Sequence, residues 1–126
     1  MTILVLGGGN SPERDVSLRS SAAVAEALKK AGFNVQQADP KDGLEVLNNL
    51  AKDNIIFPIL HGAEGEDGQI QAKLEELGLP FLGSGSESSK NCFDKALTRE
   101  ILEKNGVKMP QAVVVTAETY KTSSLA

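Results

Sequence analysis

The chain has 126 residues, 40% of them apolar and 24% charged, the balance of one ordinary globular domain built around a single core. Its formal net charge of -4, with basic residues scattered among the acids, and its 4% aromatic content without Trp exclude both a phosphate-binding basic face and a stacking platform for bases. Cys92 is the only cysteine, which excludes an internal disulfide; no apolar run approaches the ~20 residues that span a bilayer and no signal-peptide pattern opens the chain, so the expected home is the cytoplasm.

In chain order, the apolar run 2–6 reads as a first strand that breaks at three consecutive glycines, Gly7, Gly8 and Gly9. A helix is expected next, capped by Asp15 or Ser17. Its inward face is read from Val16, Ser20, Ala23, Val24, Ala27, Leu28 and Ala31, with Lys29 and Lys30 in the last turn and Gly32 as the stop. Residues 33–38 read as a second strand, Asp39 and Pro40 as a turn, and 43–52 as a short helix on Leu44, Leu47, Leu50 and Ala51. The continuous apolar run 54–60 is the pattern of a strand covered on both faces, although Pro58 sits awkwardly in it, and it opens into the polar loop 61–68. A helix on Ile70, Leu74 and Leu77 ends at Gly78, residues 80–83 form a short strand, 94–104 another helix ending at Asn105 and Gly106, and 112–115 a last strand. Residues 116–126 lose all periodicity and are read as a linker or the beginning of a next domain, after a domain of residues 1–115.

Strands alternating with helices imply right-handed crossovers and a mostly parallel, doubly covered sheet, an α/β fold. In such sheets ligands bind beyond the carboxyl ends of the strands. The two loops richest in glycine and charge, 7–15 and 61–68, leave those ends and are expected to share one site.

The glycines after the first strand permit an anion cradle at a helix N-terminus, but neither a G-x-G-x-x-G spacing nor a P-loop Lys-Ser or Lys-Thr pair is present. Glu13 would repel a phosphate there and attract an ammonium; loop composition alone favours an ordinary solvated turn residue. His61, the single histidine, reads either as a packed residue bonded to backbone or as a donor to a substrate carboxylate, and with no second His or Cys nearby it makes no zinc site. Asp67 is placed to cap the helix that follows, and Glu66 beside it forms no acid/base pair with it by spacing.

Two segments, GGNSPERDVSL over residues 8–18 and LHGAEGEDGQIQA over 60–72, together resemble the N-terminal signatures of the D-alanine:D-alanine ligases. The string H-G-x-x-G-E-D-G-x-I-Q from His61 to Gln71 is the more specific of the two. Gly83-Ser84-Gly85 and Phe93-Asp94-Lys95 resemble the family's G-S-G and M-D-K segments, with Phe93 in place of Met and a more polar stretch at 86–90.

The resemblance implies a three-layer, Rossmann-like pre-ATP-grasp domain of an ATP-grasp ligase. Such an enzyme phosphorylates the carboxylate of one D-alanine with ATP, lets the amine of a second attack the acyl phosphate, and so supplies the dipeptide of peptidoglycan. It further implies that Glu13 holds the ammonium of the first D-alanine, that the helix beginning near Val16 and Ser17 points its positive end at that substrate, and that His61 and Gly62 line the same place. Gly8, Gly9, Gly65, Glu66, Asp67 and Gly68 shape the loops, and Lys95 reaches the nucleotide phosphates. ATP and Mg2+ would be cofactors of the full-length enzyme, a homodimer in the family, with the ATP-grasp fold and magnesium carboxylates supplied downstream of residue 126. The chain alone is therefore expected to be inactive. A stand-alone amino-acid-binding module, and a nucleotide- or flavin-binding domain that the Gly-rich turn permits, are the alternatives.

Overall fold

The computed structural model describes residues 1–120 and shows an α/β fold. Its sheet has strand β1 (Ile3–Leu6) in the centre, flanked by β2 (Val35–Ala38) and β3 (Ile55–Pro58), all parallel in the order β2-β1-β3. Ile3 stands opposite Val35 and Ile55, and Leu6 opposite Ala38 and Pro58. The strand expected at 80–83 is reduced to one parallel bridge between Phe81 and Ile56, in which Ile56 N–H donates to Pro80 O and Leu82 N–H to Ile56 O, both at 2.9 Å.

Strand side chains alternate between faces, so β1 feeds two cores. Leu4 and Leu6 join Leu47, Ile56, Ile70, Leu74 and Leu79 on one face, while Ile3 and Val5 meet Ala25, Val24, Leu28 and Val35 on the other. Helix α1 (Arg14–Lys30) covers the second face; α2 (Glu45–Asn48) and α3 (Gln69–Glu76) cover the first. The result is a three-layer α/β/α arrangement with the loops after β1 and β3 at the same end of the sheet. Burying a side chain such as Leu4 or Leu74 contributes roughly 2 kcal/mol, so both layers are held firmly.

Helix α1 departs from the expected register in two ways. It begins at Arg14, so Asp15 and Ser17 lie within its first turns and neither caps it. Its buried face is Ser17, Ser21 and Ala25, while Val16, Ala23, Ala27 and Ala31 point outward and Val24 and Leu28 flank the core. The cause is distance: a Cβ added to Gly7 would run into the Ser21 side chain and come within 3.4 Å of Ser17 O, so only small residues fit between this helix and the strand end. The helix stops where expected, at Gly32 with φ 89°, where Gly32 N–H bonds to Lys29 O and Phe33 N–H to Leu28 O.

Other expectations are trimmed or overturned. The helix over 43–52 is the single turn of α2, preceded by a 3-10 turn, Pro40–Asp42, capped by Asp39. The polar stretch at 86–90 is the start of helix α4 (Ser86–Phe93), whose first residue is held by the Glu75 carboxylate of α3, accepting Ser86 N–H at 2.9 Å. Helix α5 (Lys95–Lys104) follows, with Asp94 accepting the N–H groups of Ala96 and Leu97 at 2.9 and 3.0 Å. Residues 112–115 are not a strand: Val113 and Val114 are exposed, and among the described residues no sheet edge pairs with them. In the segment 116–126, read as lacking periodicity, Ala117–Tyr120 form a one-turn helix, α6, and residues 121–126 lie outside the described residues.

Candidate functional site

The loop after β1 and the loop after β3 are laced together. The Ser11 hydroxyl donates to His61 O at 2.7 Å, and the Asn10 amide donates to the Glu64 carboxylate at 3.2 Å. Gly62, at φ 72°, lies directly against Glu13: a Cβ added there would sit 3.2 Å from Glu13 Oε2. The topological switch between β1 and β3 therefore brings Glu13, His61 and Gly62 to one place, as two separated motifs imply.

Two devices fix the first loop from beneath. Ser17 is fully buried, and its hydroxyl accepts Gly8 N–H at 2.8 Å while donating to Ile59 O, which ties the helix, the first loop and the end of β3 at one atom. Asp39, at the end of β2, accepts Gly9 N–H and Lys41 N–H at 2.9 Å each, and Arg14 reaches both Asp39 (2.6 Å) and Gly9 O (3.0 Å). Burial would raise the Asp39 pKa, but the Gly9 and Lys41 N–H groups and the Arg14 guanidinium outweigh it and hold the carboxyl below its ordinary value. Gly8, at φ 99°, has no room for a side chain because a Cβ would strike the Asp39 carboxylate.

The second loop is organised by its acids. Asp67 accepts Glu64 N–H at 3.0 Å and Gln69 N–H at 3.1 Å, but it is not the cap expected from its position: the N-cap of α3 is Gly68, in a left-handed turn, and Asp67 braces the loop one residue before it. Burial pulls its pKa upward, yet the Glu64 and Gln69 donors prevail and lower it. Glu66 accepts Gly62 N–H at 3.1 Å and places its other oxygen 3.8 Å from His61 Nδ1. His61 Nε2 is buried without a hydrogen-bond partner among the described residues. Gly65 and Gly68 are buried at tight turns; Gln71 Nε2 donates to Gly65 O at 2.8 Å, and Gly68 has φ 91° against the Ser86 carbonyl.

Of the residues singled out in the sequence, Glu13 and Val16 are exposed on and just before the first turn of α1, where no side chain caps the helix. A carboxylate beside an uncapped helix N-terminus and an imidazole offers complementary charge to a small zwitterion: Glu13 for an ammonium, the helix end for a carboxylate. Ser17 faces inward and is occupied by the fold. Lys95 stands apart from Glu13, in a hollow of about 630 Å³ shared with Glu66, Gln71, Ser84, Ser89 and Phe93. Glu66 thus touches both regions. Sequence reasoning gave no role to Asn10, Ser11, Arg14 or Asp39; the first three stand inside the segment GGNSPERDVSL, and the Asp-Pro pair after β2 marks the fourth. Among the described residues no group of three or more His, Cys, Asp or Glu could hold a metal ion, and no helix is long and apolar enough to cross a membrane.

Residues 36–84 match the family described as D-ala D-ala ligase N-terminus. The chain is 44% identical over 118 residues to a D-alanine–D-alanine ligase of Haemophilus influenzae (strain PittEE), covering 92% of this chain and 39% of that protein. It is 43% identical to one from Pseudomonas entomophila (strain L48), covering 92% and 36%. Among solved structures, D-alanine-D-alanine ligase from Aeromonas hydrophila superposes with a TM-score of 0.80 at 27% identity, over 99% of this chain and 55% of that one. The Bacillus anthracis ligase complexed with ATP gives 0.77 at 32% identity, over 88% and 39%. The chain spans about two fifths of the length of these curated relatives. Over 92% of its length this chain is thus similar in sequence to D-alanine–D-alanine ligases, and within that stretch residues 36–84 match the model of the ligase N-terminus.

Proposed function

We propose that this chain forms the first-substrate side of a D-alanine–D-alanine ligase, and that the approach of Glu13 to Gly62 across the two loops is the observation that carries this reading. Glu13 accepts hydrogen bonds from the ammonium of the first D-alanine, the open first turn near Val16 faces its carboxylate, and His61, oriented through Glu66, lines the same space. Holding the amino acid at both charged ends leaves its carboxylate oxygen as the nucleophile toward ATP. Phosphoryl transfer would give an acyl phosphate and ADP; the amine of a second D-alanine then attacks the carbonyl carbon, phosphate leaves with the C–O bond, and the amine loses a proton to give the dipeptide.

Lys95 is the residue of this chain suited to a nucleotide phosphate. It opens α5 in the hollow shared with Ser84, Ser89 and Glu66, where the cation and two hydroxyl groups offer donors to an anion against the single opposing carboxylate. ATP supplies the activated phosphoryl group when bound. Magnesium would be held by carboxylates outside this chain, since among the described residues no cluster of acids fits the ion.

On this reading the 126 residues alone do not turn over. The test is D-alanine-dependent phosphate release from ATP, measured for this chain and for the chain extended to the length of its relatives. Release by the extended protein alone supports the proposal. Absence of release from a folded extended protein, together with D-alanine binding, would favour an amino-acid-binding module instead.

A further inference from the structure

Glu66 stands between the two regions of the candidate site. One carboxylate oxygen accepts Gly62 N–H at 3.1 Å and the other lies 3.8 Å from His61 Nδ1, while the residue also lines the hollow of about 630 Å³ shared with Lys95. Gly62 is the backbone against which Glu13 rests, so the loop side of Glu66 reaches the place assigned to the first amino acid. On the hollow side, Lys95 and Glu66 are the charged residues of the lining, and Lys95 makes no ion pair among the described residues. Beneath them Gln71, only 8% exposed, donates from Nε2 to Gly65 O at 2.8 Å and pins the peptide just before Glu66. The backbone is therefore fixed, and what is free to respond is the half-exposed Glu66 side chain.

A carboxylate in a hollow suited to an anion opposes that anion unless its charge is engaged elsewhere. Two attractions act on Glu66: the Lys95 ammonium from within the hollow, and the Gly62 N–H with the His61 ring from the loop. A phosphate group seated at Lys95 neutralises the first and adds repulsion, which leaves the second unopposed. Whatever one ligand does in this way to the affinity of the other is returned in equal measure.

We infer that Glu66 is a positioning residue that couples the two substrates: a phosphate group at Lys95 drives its carboxylate onto Gly62 and His61 and so firms the place where the first amino acid binds. The inference rests on the ligase reading and goes beyond it by making one side chain answer to both ligands. A neutral amide at this position keeps an acceptor for Gly62 N–H but feels neither the ammonium nor the phosphate, so Glu66→Gln separates holding the loop from coupling the ligands.

The test is a calorimetric titration of the extended protein with AMP-PNP, a non-hydrolysable ATP analogue, with and without saturating D-alanine. In the unaltered protein D-alanine should tighten the analogue roughly five-fold or more, the lower end of ordinary coupling between sites. In Glu66→Gln the analogue alone should bind as tightly or more tightly, because the opposing carboxylate is gone, and D-alanine should add less than about two-fold. A residue that merely braced the loop would leave the ratio unchanged in the variant; that result, or a ratio near one in the unaltered protein, overturns the proposal. Should the variant not fold, the Gly62 amide decides: the analogue should move its proton downfield in the unaltered protein as the bond to Glu66 tightens, and an unmoved resonance overturns the proposal equally. A folded extended protein that binds neither D-alanine nor the analogue sinks the ligase reading and the coupling with it, whereas binding of both without coupling sinks the coupling alone.

Discussion

Arg14 holds Asp39 at 2.6 Å while both grip Gly9, the guanidinium through the carbonyl and the carboxylate through the N–H. The end of β2, the first turn of α1 and the glycine loop are thereby closed into one ring of contacts directly behind Glu13.

Acid should loosen this ring. The Asp39 pKa is lower in the folded chain than its ordinary value of 3.8, so the stability it contributes is present above that value and is lost as pH falls through the folded pKa. Asp67 titrates in the same direction and adds to the loss. Urea midpoints measured from about pH 5 down to about pH 3 should fall less steeply for Asp39→Asn than for the unaltered chain. Parallel curves would show that the ring contributes nothing to stability.

Ser17→Ala removes the atom shared by Gly8 N–H and Ile59 O and leaves the buried Gly8 donor and the half-buried Ile59 acceptor without that partner. A loss of about 2 to 3 kcal/mol in unfolding free energy is expected, well above the cost of deleting an exposed hydroxyl. Ser20→Ala, three residues along the same helix and only partly buried, is the control and should change stability by under about 0.5 kcal/mol.

Gly7→Ala forces a methyl group into Ser21. It should destabilise by roughly 1 to 3 kcal/mol, the range for overpacking, and the second substitution Ser21→Gly should recover part of that loss although it is unfavourable alone in a helix. A double-mutant cycle from thermal unfolding reads the coupling. Purely additive effects would place the helix farther from β1 than the structure does.

Glu13→Gln keeps the shape of the side chain and discards its charge. If Glu13 holds an ammonium, binding of the first D-alanine by the extended protein should weaken about ten-fold or more, while the melting temperature of this exposed position stays within a degree or two. An unchanged Michaelis constant for the first site would remove Glu13 from the substrate.

What could be read ahead of the structure was local. The strand ends, the glycine loops and the stop of α1 at Gly32 follow from residues adjacent in sequence. The partners that finish them are distant: Asp39 reaches back to Gly9, Ser11 meets His61, and Glu75 starts α4 from another helix. Spacing within a segment carries no trace of such bonds. Hydrophobic periodicity misplaced the inner face of α1 for a related reason. It ranks Val16 above Ser17, whereas the space over Gly7 selects for volume, and a serine whose hydroxyl is satisfied fits where a valine does not. Val113, Val114 and Val115 show the converse, a strand composition with no edge beside it among the described residues.

The stripe of Ser17, Ser21 and Ala25 works as a ruler as much as a packing surface. It fixes how low α1 rides on the sheet, and because Glu13 immediately precedes that helix, it also fixes how far the carboxylate projects toward Gly62. A bulkier residue at Ser21 or Ala25 would lift the whole helix like a shim and withdraw Glu13 from its neighbour, moving the carboxylate from two or three turns away without touching either loop.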